Sequence, residues 1–489
     1  MSGARIVLAL VLGSWLIAGY TTFAKDAEET SSGLFHLVET DPVPDDAIRV
    51  CESCANNDLQ ATIDSADEGV VIVVVGGSWA PVSIDKPLRL AGEDWPVIDA
   101  MGKGSGITIA SADVTVEGFD IRSTGRSFDH EDSGIYFEGE RVRILNNRLS
   151  EVLFGVNGAL GHDSEIAGNT ISGQTGVSEG LRGDGLKIWY SHRVQIHNND
   201  IRNVRDSLVW YSNECNVYEN SVQGSRYGFH FMNSDDGVAR RNSLVDNSVG
   251  IYIMYGKRFT VADNLLEGSR GPSGQGLGLK EVDGFEVTGN LIYDNRVGIY
   301  NDNSPYSIGQ IGWLSDNVIA YNDSGLGIVP SARDNIYTHN SFVENLEQVT
   351  VLGSGALSSG NQWSYEGVGN FWSDYSGYDA DGDGVGDIPY QNTSIAEELR
   401  RTHPQLQLFR FSLAERAIDF AAQAMPLFEA EAILMDDSPL VNAPTPQNAP
   451  EVTSNESTLH TTALSVSLMA TVGAGIWWAR RPGAGLGGA

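Results

Sequence analysis

The sequence predicts an all-β chain wound as a right-handed parallel β-helix, a solenoid of about ten coils, on three observations. First, asparagines followed two positions later by an apolar residue recur at Asn147, Asn169, Asn199, Asn220, Asn242, Asn264, Asn290, Asn317 and Asn340. Their spacings are 22, 30, 21, 22, 22, 26, 27 and 23 residues, and a period near 22 marks a solenoid. Second, a Gly-apolar-x-apolar series runs between them, at Gly134-Ile135, Gly185-Leu186, Gly228-Phe229, Gly250-Ile251, Gly276-Leu277 and Gly298-Ile299; each reads as a short strand after a turn. Third, no window over the repeats shows a 3.6-residue apolar stripe, and 56 of 489 residues are glycine, a profile that excludes helices there.

Stacked coils bring equivalent residues ~4.8 Å apart. The asparagines then form a ladder, each bond worth ~1 kcal/mol net, and they are assigned to structure with no ligand role. The extra residues of the 30-, 26- and 27-residue coils must loop outward. Segments 173–182 and 268–275 are therefore the expected contact elements.

From the N-terminus, residues 1–24 read as a signal peptide: Arg5, an apolar run over 6–18, then Thr22-Phe23-Ala24 as the cleavage pattern. Export from the cytoplasm follows. Residues 25–104 are expected to lead in and cap the solenoid, with Leu59-Gln60-Ala61-Thr62-Ile63 opening a short amphipathic helix and 70–75 forming a buried strand, since an open edge would pair with other chains. The repeats span 105–350, and a C-terminal cap with an Asp-rich loop spans 351–440, including a helical segment over 413–424. Residues 441–460, rich in Pro, Asn, Ser and Thr, read as a linker. Within 461–481, an uncharged run over 463–479 precedes Arg480-Arg481 and reads as a membrane anchor, marginal in length for ~30 Å of hydrocarbon. A poorly ordered tail or a processed sorting signal are the alternatives; 482–489 is tail.

Sixty-four acidic against 31 basic residues give a formal charge of −33, which repels phosphate backbones and excludes nucleic acid as a partner. Cys51 and Cys54 form a C-x-x-C pair; in an oxidising compartment a local disulfide is the first reading, with copper or redox duty as the sharper one.

Aligning coils on their glycines yields a candidate copper site. Phe229, Phe231, Ile251 and Ile253 should point inward, so His230, Met232, Tyr252 and Met254 should point out. Met232 and Met254 are 22 residues apart, one coil, which stacks the two thioethers beside His230. Trp189 and Tyr211 are expected to flank them on one side, Lys280 and Asp302 on the other. Burying a methionine would gain ~1.5 to 3 kcal/mol, so two outward methionines point to a ligand or a partner that covers them. Thioether with imidazole favours Cu(I) over hard cations; a strip packing against a partner protein is the alternative.

Asp379, Asp381, Asp383 and Asp387, with Gly384, supply the early positions of an EF-hand-like loop, a set suited to Ca²⁺. Tyr390 stands where the bidentate glutamate would be, and aspartates that merely cap backbone amides are the other reading. Residues 129–132 (Asp-His-Glu-Asp) read as a solvated loop; His162, His192 and His197 fall at irregular offsets and stay unassigned. Arg182, Asp184, Arg205, Asp206 and Arg226 read as a ladder of ion pairs along one edge.

Several stretches resemble the NosD family: Arg182-Gly183-Asp184-Gly185-Leu186, the run from Arg226 to Met232, Ile253-Met254-Tyr255, and Gly369-Asn370-Phe371-Trp372-Ser373-Asp374-Tyr375 leading into 379–390. The resemblance covers roughly residues 55–440. It implies a pectin-lyase-like β-helix and a non-catalytic periplasmic maturation factor of nitrous oxide reductase. Such a factor works with a NosF/NosY ABC transporter and a NosL copper chaperone to assemble a copper-sulfur centre. The rival readings are a carbohydrate-active β-helix enzyme (polysaccharide lyase, hydrolase or epimerase), in which Asp184 and Asp206 on successive coils would act together, and a passive surface-binding protein. No Gly-His-Gly, Arg-Ile-Lys or Asp-Pro-His-Asp signature of the carbohydrate-active families occurs.

Overall fold

Each coil bends where one residue takes left-handed backbone immediately ahead of a ladder asparagine. Asn146, Asn198 and Asp263 have φ of +54°, +54° and +56°, and Gly168 and Gly289 serve in other coils. Asn, Asp and Gly tolerate that region best, yet the bend imposes it also on Glu219, Arg241 and His339, at φ of +56°, +50° and +56°. The bend lets every coil contribute three short strands to three parallel sheets. Sheet 1 has 13 strands, from Ile48–Val50 to Asn335–Thr338; sheet 2 has 12, from Val82–Ile84 to Glu347–Val351; sheet 3 has 13, from Ser78–Trp79 to Phe371–Trp372.

The computed structural model describes residues 37–444, apart from 354–355, 358, 394–397, 401–402, 410–411 and 425–431. The expected signal peptide and anchor lie outside the described residues, as does most of the linker. Among the described residues, no helix is long and apolar enough to cross a membrane.

Inside, apolar side chains stack in columns: Ile144, Ile166, Ile196 and Val217 in sheet 1, and Phe229, Ile251, Leu277 and Ile299 in sheet 2, all 0–1% exposed. The asparagine ladder holds as expected. Asn147 donates from its main-chain N and its Nδ2 to Asn169 Oδ1 at 2.9 and 3.1 Å, and from Nδ2 to Val116 O at 3.0 Å. The pattern repeats to Asn340 and adds a tenth rung, Asn370, whose Oδ1 accepts at 3.2 and 2.9 Å. Beyond it stands Asp436, fully buried, with Oδ2 accepting from Asn370 N at 2.8 Å and Trp372 Nε1 at 2.9 Å.

About 13 coils form where about ten were expected, because residues 48–104 already contribute strands to all three sheets. That stretch lacks the asparagine signal. Its corner instead relies on close backbone approach: a Cβ on Gly118 (φ +79°) would lie 2.6 Å from Gly92 O. The helix Leu59–Ser65 forms, N-capped by Asp58, and Gln60 bonds the backbone of Ser83 at 2.8 and 3.1 Å. It thereby covers the edge strand of sheet 2. Cys51 and Cys54 form a disulfide, and the helix Leu413–Ala424 is present.

The two predicted insertions lean together. Arg182 Nη1 donates to Gly224 O at 2.9 Å and Ser248 Oγ to Glu179 Oε1 at 2.6 Å, drawing the first loop along the coils toward residues 268–271. A polar cleft of about 250 Å³ lies between them.

Candidate metal site

The outer face of sheet 2 carries the expected cluster. The strands Tyr227–Met232 and Val249–Met254 pair in parallel with Met232 opposite Met254 and His230 opposite Tyr252. Phe229, Phe231, Ile251 and Ile253 are buried while His230, Met232, Tyr252 and Met254 are only partly covered, so the alternation falls as the glycine alignment requires. His230 Nε2 lies 3.3 Å from Met254 Sδ. At that distance the imidazole N–H donates to the thioether sulfur, which places a nitrogen and a sulfur donor side by side. Imidazole nitrogen and thioether sulfur are the donor types that would hold a soft ion such as Cu(I).

A chain of contacts fixes the imidazole. Buried Asp206 takes both Arg226 Nε (2.9 Å) and Nη2. The Arg226 guanidinium lies 4.9 Å from the centre of the Tyr227 ring, and that ring packs 4.7 Å from His230. Burial holds the His230 pKa below its ordinary value, with the Asp206 charge opposing and the Arg226 charge assisting. The ring is thus neutral at neutral pH, the state a metal ligand needs. His230 Nδ1 is buried with no partner among the described residues.

The surroundings differ from the sequence reading in one respect. Trp210, not Tyr211, pairs with Met232. The coil from Trp189 to Trp210 is 21 residues, and the register slips between Asp206 and Leu208. Tyr211 falls in the following turn at φ +51° and stacks on Tyr190 at 5.0 Å. Trp189 holds its expected rung, and Lys280 pairs with Met254 with its Nζ 3.9 Å from Asp302. The Tyr252 ring lies across Gly278, where a Cβ would come within 2.2 Å of it.

A family profile described as "Periplasmic copper-binding protein (NosD)" matches residues 167–377. Two proteins named "Probable ABC transporter binding protein NosD" are each 29% identical. The one from Stutzerimonas stutzeri aligns over 376 residues, 74% of this chain and 84% of its own length; the one from Pseudomonas aeruginosa aligns over 397, 75% and 87%. This chain is similar to NosD proteins over about three quarters of its length. Among solved structures, the A-module of a mannuronan C-5 epimerase from Azotobacter vinelandii aligns with TM-score 0.49 at 14% identity, over 63% of this chain and 94% of that one. A lacto-N-biosidase from Eubacterium ramulus aligns with TM-score 0.41 at 11% identity, over 63% and 67%.

The NosD match contains His230, Met232 and Met254 and ends just before the acidic loop. In that loop Asp379, Asp381 and Asp383 bring carboxylate oxygens within 4.8 Å of one another. Their oxygens also cap amides: Asp379 accepts from Gly382 and Gly384 N at 2.6 and 2.9 Å, Asp383 from Val385 N at 2.8 Å, and Asp387 from Ala380 N at 2.6 Å. Backbone donors hold Asp379 below the usual carboxylate range.

Other histidines of this NosD-like chain serve its coils. His162 Nδ1 accepts from His192 N at 3.0 Å and His192 Nδ1 from Asn213 N at 2.9 Å, with the rings stacked 4.9 Å apart. Their irregular spacing hid a second ladder, in which histidine does the work of asparagine. His197 bonds Glu165 at 3.1 Å. In the loop at 129–132, Asp129 and His130 are exposed as expected, while Glu131 is held by Lys187 and Asn157 and Asp132 is buried.

Proposed function

We propose that this chain is an exported, non-catalytic accessory factor that holds Cu(I) transiently at His230, Met232 and Met254. It serves an ABC transporter of the NosF/NosY type, receives copper from a NosL-type chaperone, and supports assembly of the copper-sulfur centre of nitrous oxide reductase. The uncharged run over 463–479 tethers it to the inner membrane. The observation that carries this reading is the pairing of Met232 with Met254, with His230 Nε2 3.3 Å from the second sulfur. Three neutral, soft or borderline donors on one outward, partly covered face favour Cu(I), and the description of the matching family supports copper.

The enzymatic alternative finds less support. Asp184 and Asp206 are each clamped by two hydrogen bonds, from Arg205 and Arg226. Burial pushes Asp184 up to about 6 against the pull of Arg205, but neither carboxylate is free to abstract a proton.

Cu(I) titration of the full chain under reductant, against a chromophoric Cu(I) chelator, tests the proposal. One equivalent should bind, and the Met232→Ala, Met254→Ala double variant should lose that binding. Equal affinity in the two proteins would remove the site.

A further inference from the structure

We infer that Trp210 forms the fourth side of the copper site, its indole face capping a three-coordinate Cu(I) that His230, Met232 and Met254 hold. The inference rests on the reading of those three side chains as ligands, and extends it to a residue that forms no bond to the ion.

Placement comes first. Trp189, Trp210, Met232, Met254, Lys280 and Asp302 occupy one outward row, each paired with the next. Neighbouring members are therefore ~4.8 Å apart at their backbones. The 21-residue coil and the slip between Asp206 and Leu208 put the indole beside Met232 instead of the phenol of Tyr211.

Elimination among the neighbouring rings comes next. Tyr227 is engaged with Arg226 and with His230. Tyr252 lies across Gly278 and meets His230 edge-on with centroids 6.0 Å apart, so its face is turned away from that ring. Trp210 stacks on Tyr211 at 5.4 Å and has no second ring or guanidinium partner among the described residues. On the opposite side of the methionine pair, Lys280 carries a positive charge beside Asp302 and offers a cation nothing.

Chemistry then decides what the indole does. Its Nε1 is buried without a hydrogen-bond partner among the described residues, and an apolar side chain of similar bulk would fill the row without stranding a donor. Tryptophan has the strongest π face for a cation. It excludes water, adds no hard oxygen ligand, and forms no bond that release of the ion would have to break. Such a cap suits cargo that must be released.

The expected contribution is about 2- to 30-fold in affinity. The test uses the full chain titrated anaerobically with Cu(I), and separately with Ag(I) as a redox-inert probe, reading affinity and the near-ultraviolet and fluorescence change of indole. Binding to the native chain should perturb one tryptophan. Trp210→Phe should bind 2- to 30-fold more weakly and lose that perturbation, whereas Trp189→Phe, which alters the more exposed neighbour, should keep both. Circular dichroism checks that each variant retains its strands. A Trp210→Phe protein with native affinity and a native spectral change overturns the cap, even if the double methionine variant has lost binding. So does loss of the perturbation in Trp189→Phe alone. Retention of native affinity by the double methionine variant would overturn the ligand reading itself.

Discussion

Asn242 sits between Met232 and Met254 in the chain, and replacing it with alanine measures what the ladder contributes where it supports the site. Its Nδ2 donates to Val217 O and Asn264 Oδ1, both at 3.0 Å, and its Oδ1 accepts from Asn220 N at 3.1 Å and Asn220 Nδ2 at 3.0 Å. The side chain is 1% exposed. Alanine strips a partner from Val217 O and from Asn220 N, two buried main-chain groups that each cost about 1 to 3 kcal/mol when left unpaired. The expected loss is about 2 to 6 kcal/mol. The neighbouring Arg241 supplies the control: its pair with Glu219 is nearly half exposed on both sides, so Arg241→Ala should cost under about 1 kcal/mol. Urea unfolding followed by circular dichroism compares the two, with Cu(I) affinity measured on the folded variants. An Asn242→Ala protein no less stable than Arg241→Ala would refute the argument that buried amides, more than surface charges, hold adjacent coils in register.

Two further outcomes are expected. His230 is kept below its ordinary value of 6.5 chiefly by burial, so Cu(I) affinity should persist as pH falls through 6.5 and decline only below it. Because the folded value is the depressed one, acidification through 6.5 should also begin to cost the metal-free protein stability; half-loss of copper at or above pH 6.5 would contradict this. Calcium at 100 times its dissociation constant should stabilise the cap around Asp379, Asp381 and Asp383 by about 2.7 kcal/mol, seen as a rise in melting temperature that EDTA reverses and Asp379→Asn abolishes. An unchanged melting curve would leave these aspartates as amide caps alone.

The repeat was readable because two chemistries recur at the coil period: an amide at one bend, and a glycine where the next strand begins. Both report constraints that each coil must satisfy independently. The first coils were missed because their corner uses Gly92 and Gly118, whose close backbone contact leaves no periodic side chain to count. The thioether pair was legible for the same reason as the core, since alternation within a strand and one full coil between strands fix it. Trp210 was not, because a slip between Asp206 and Leu208 arises from pairing between strands and leaves no mark on either strand alone. Likewise the contacts from Asp206 through Arg226 and Tyr227 to His230 depend on side-chain reach across coils, which spacing does not encode.

The hydrogen bonds from each asparagine to the next all run in one sense, so the row has a donor end and an acceptor end. Asp436 answers the last donors with a carboxylate supplied from 66 residues further along the chain. A second molecule approaching that end would meet a terminus already satisfied, so this polarity denies the solenoid an easy route to end-to-end polymerisation. It also sets a rule for insertion or deletion of coils: whole turns can be exchanged within the row, provided the segment bearing the carboxylate still reaches whichever amide comes last.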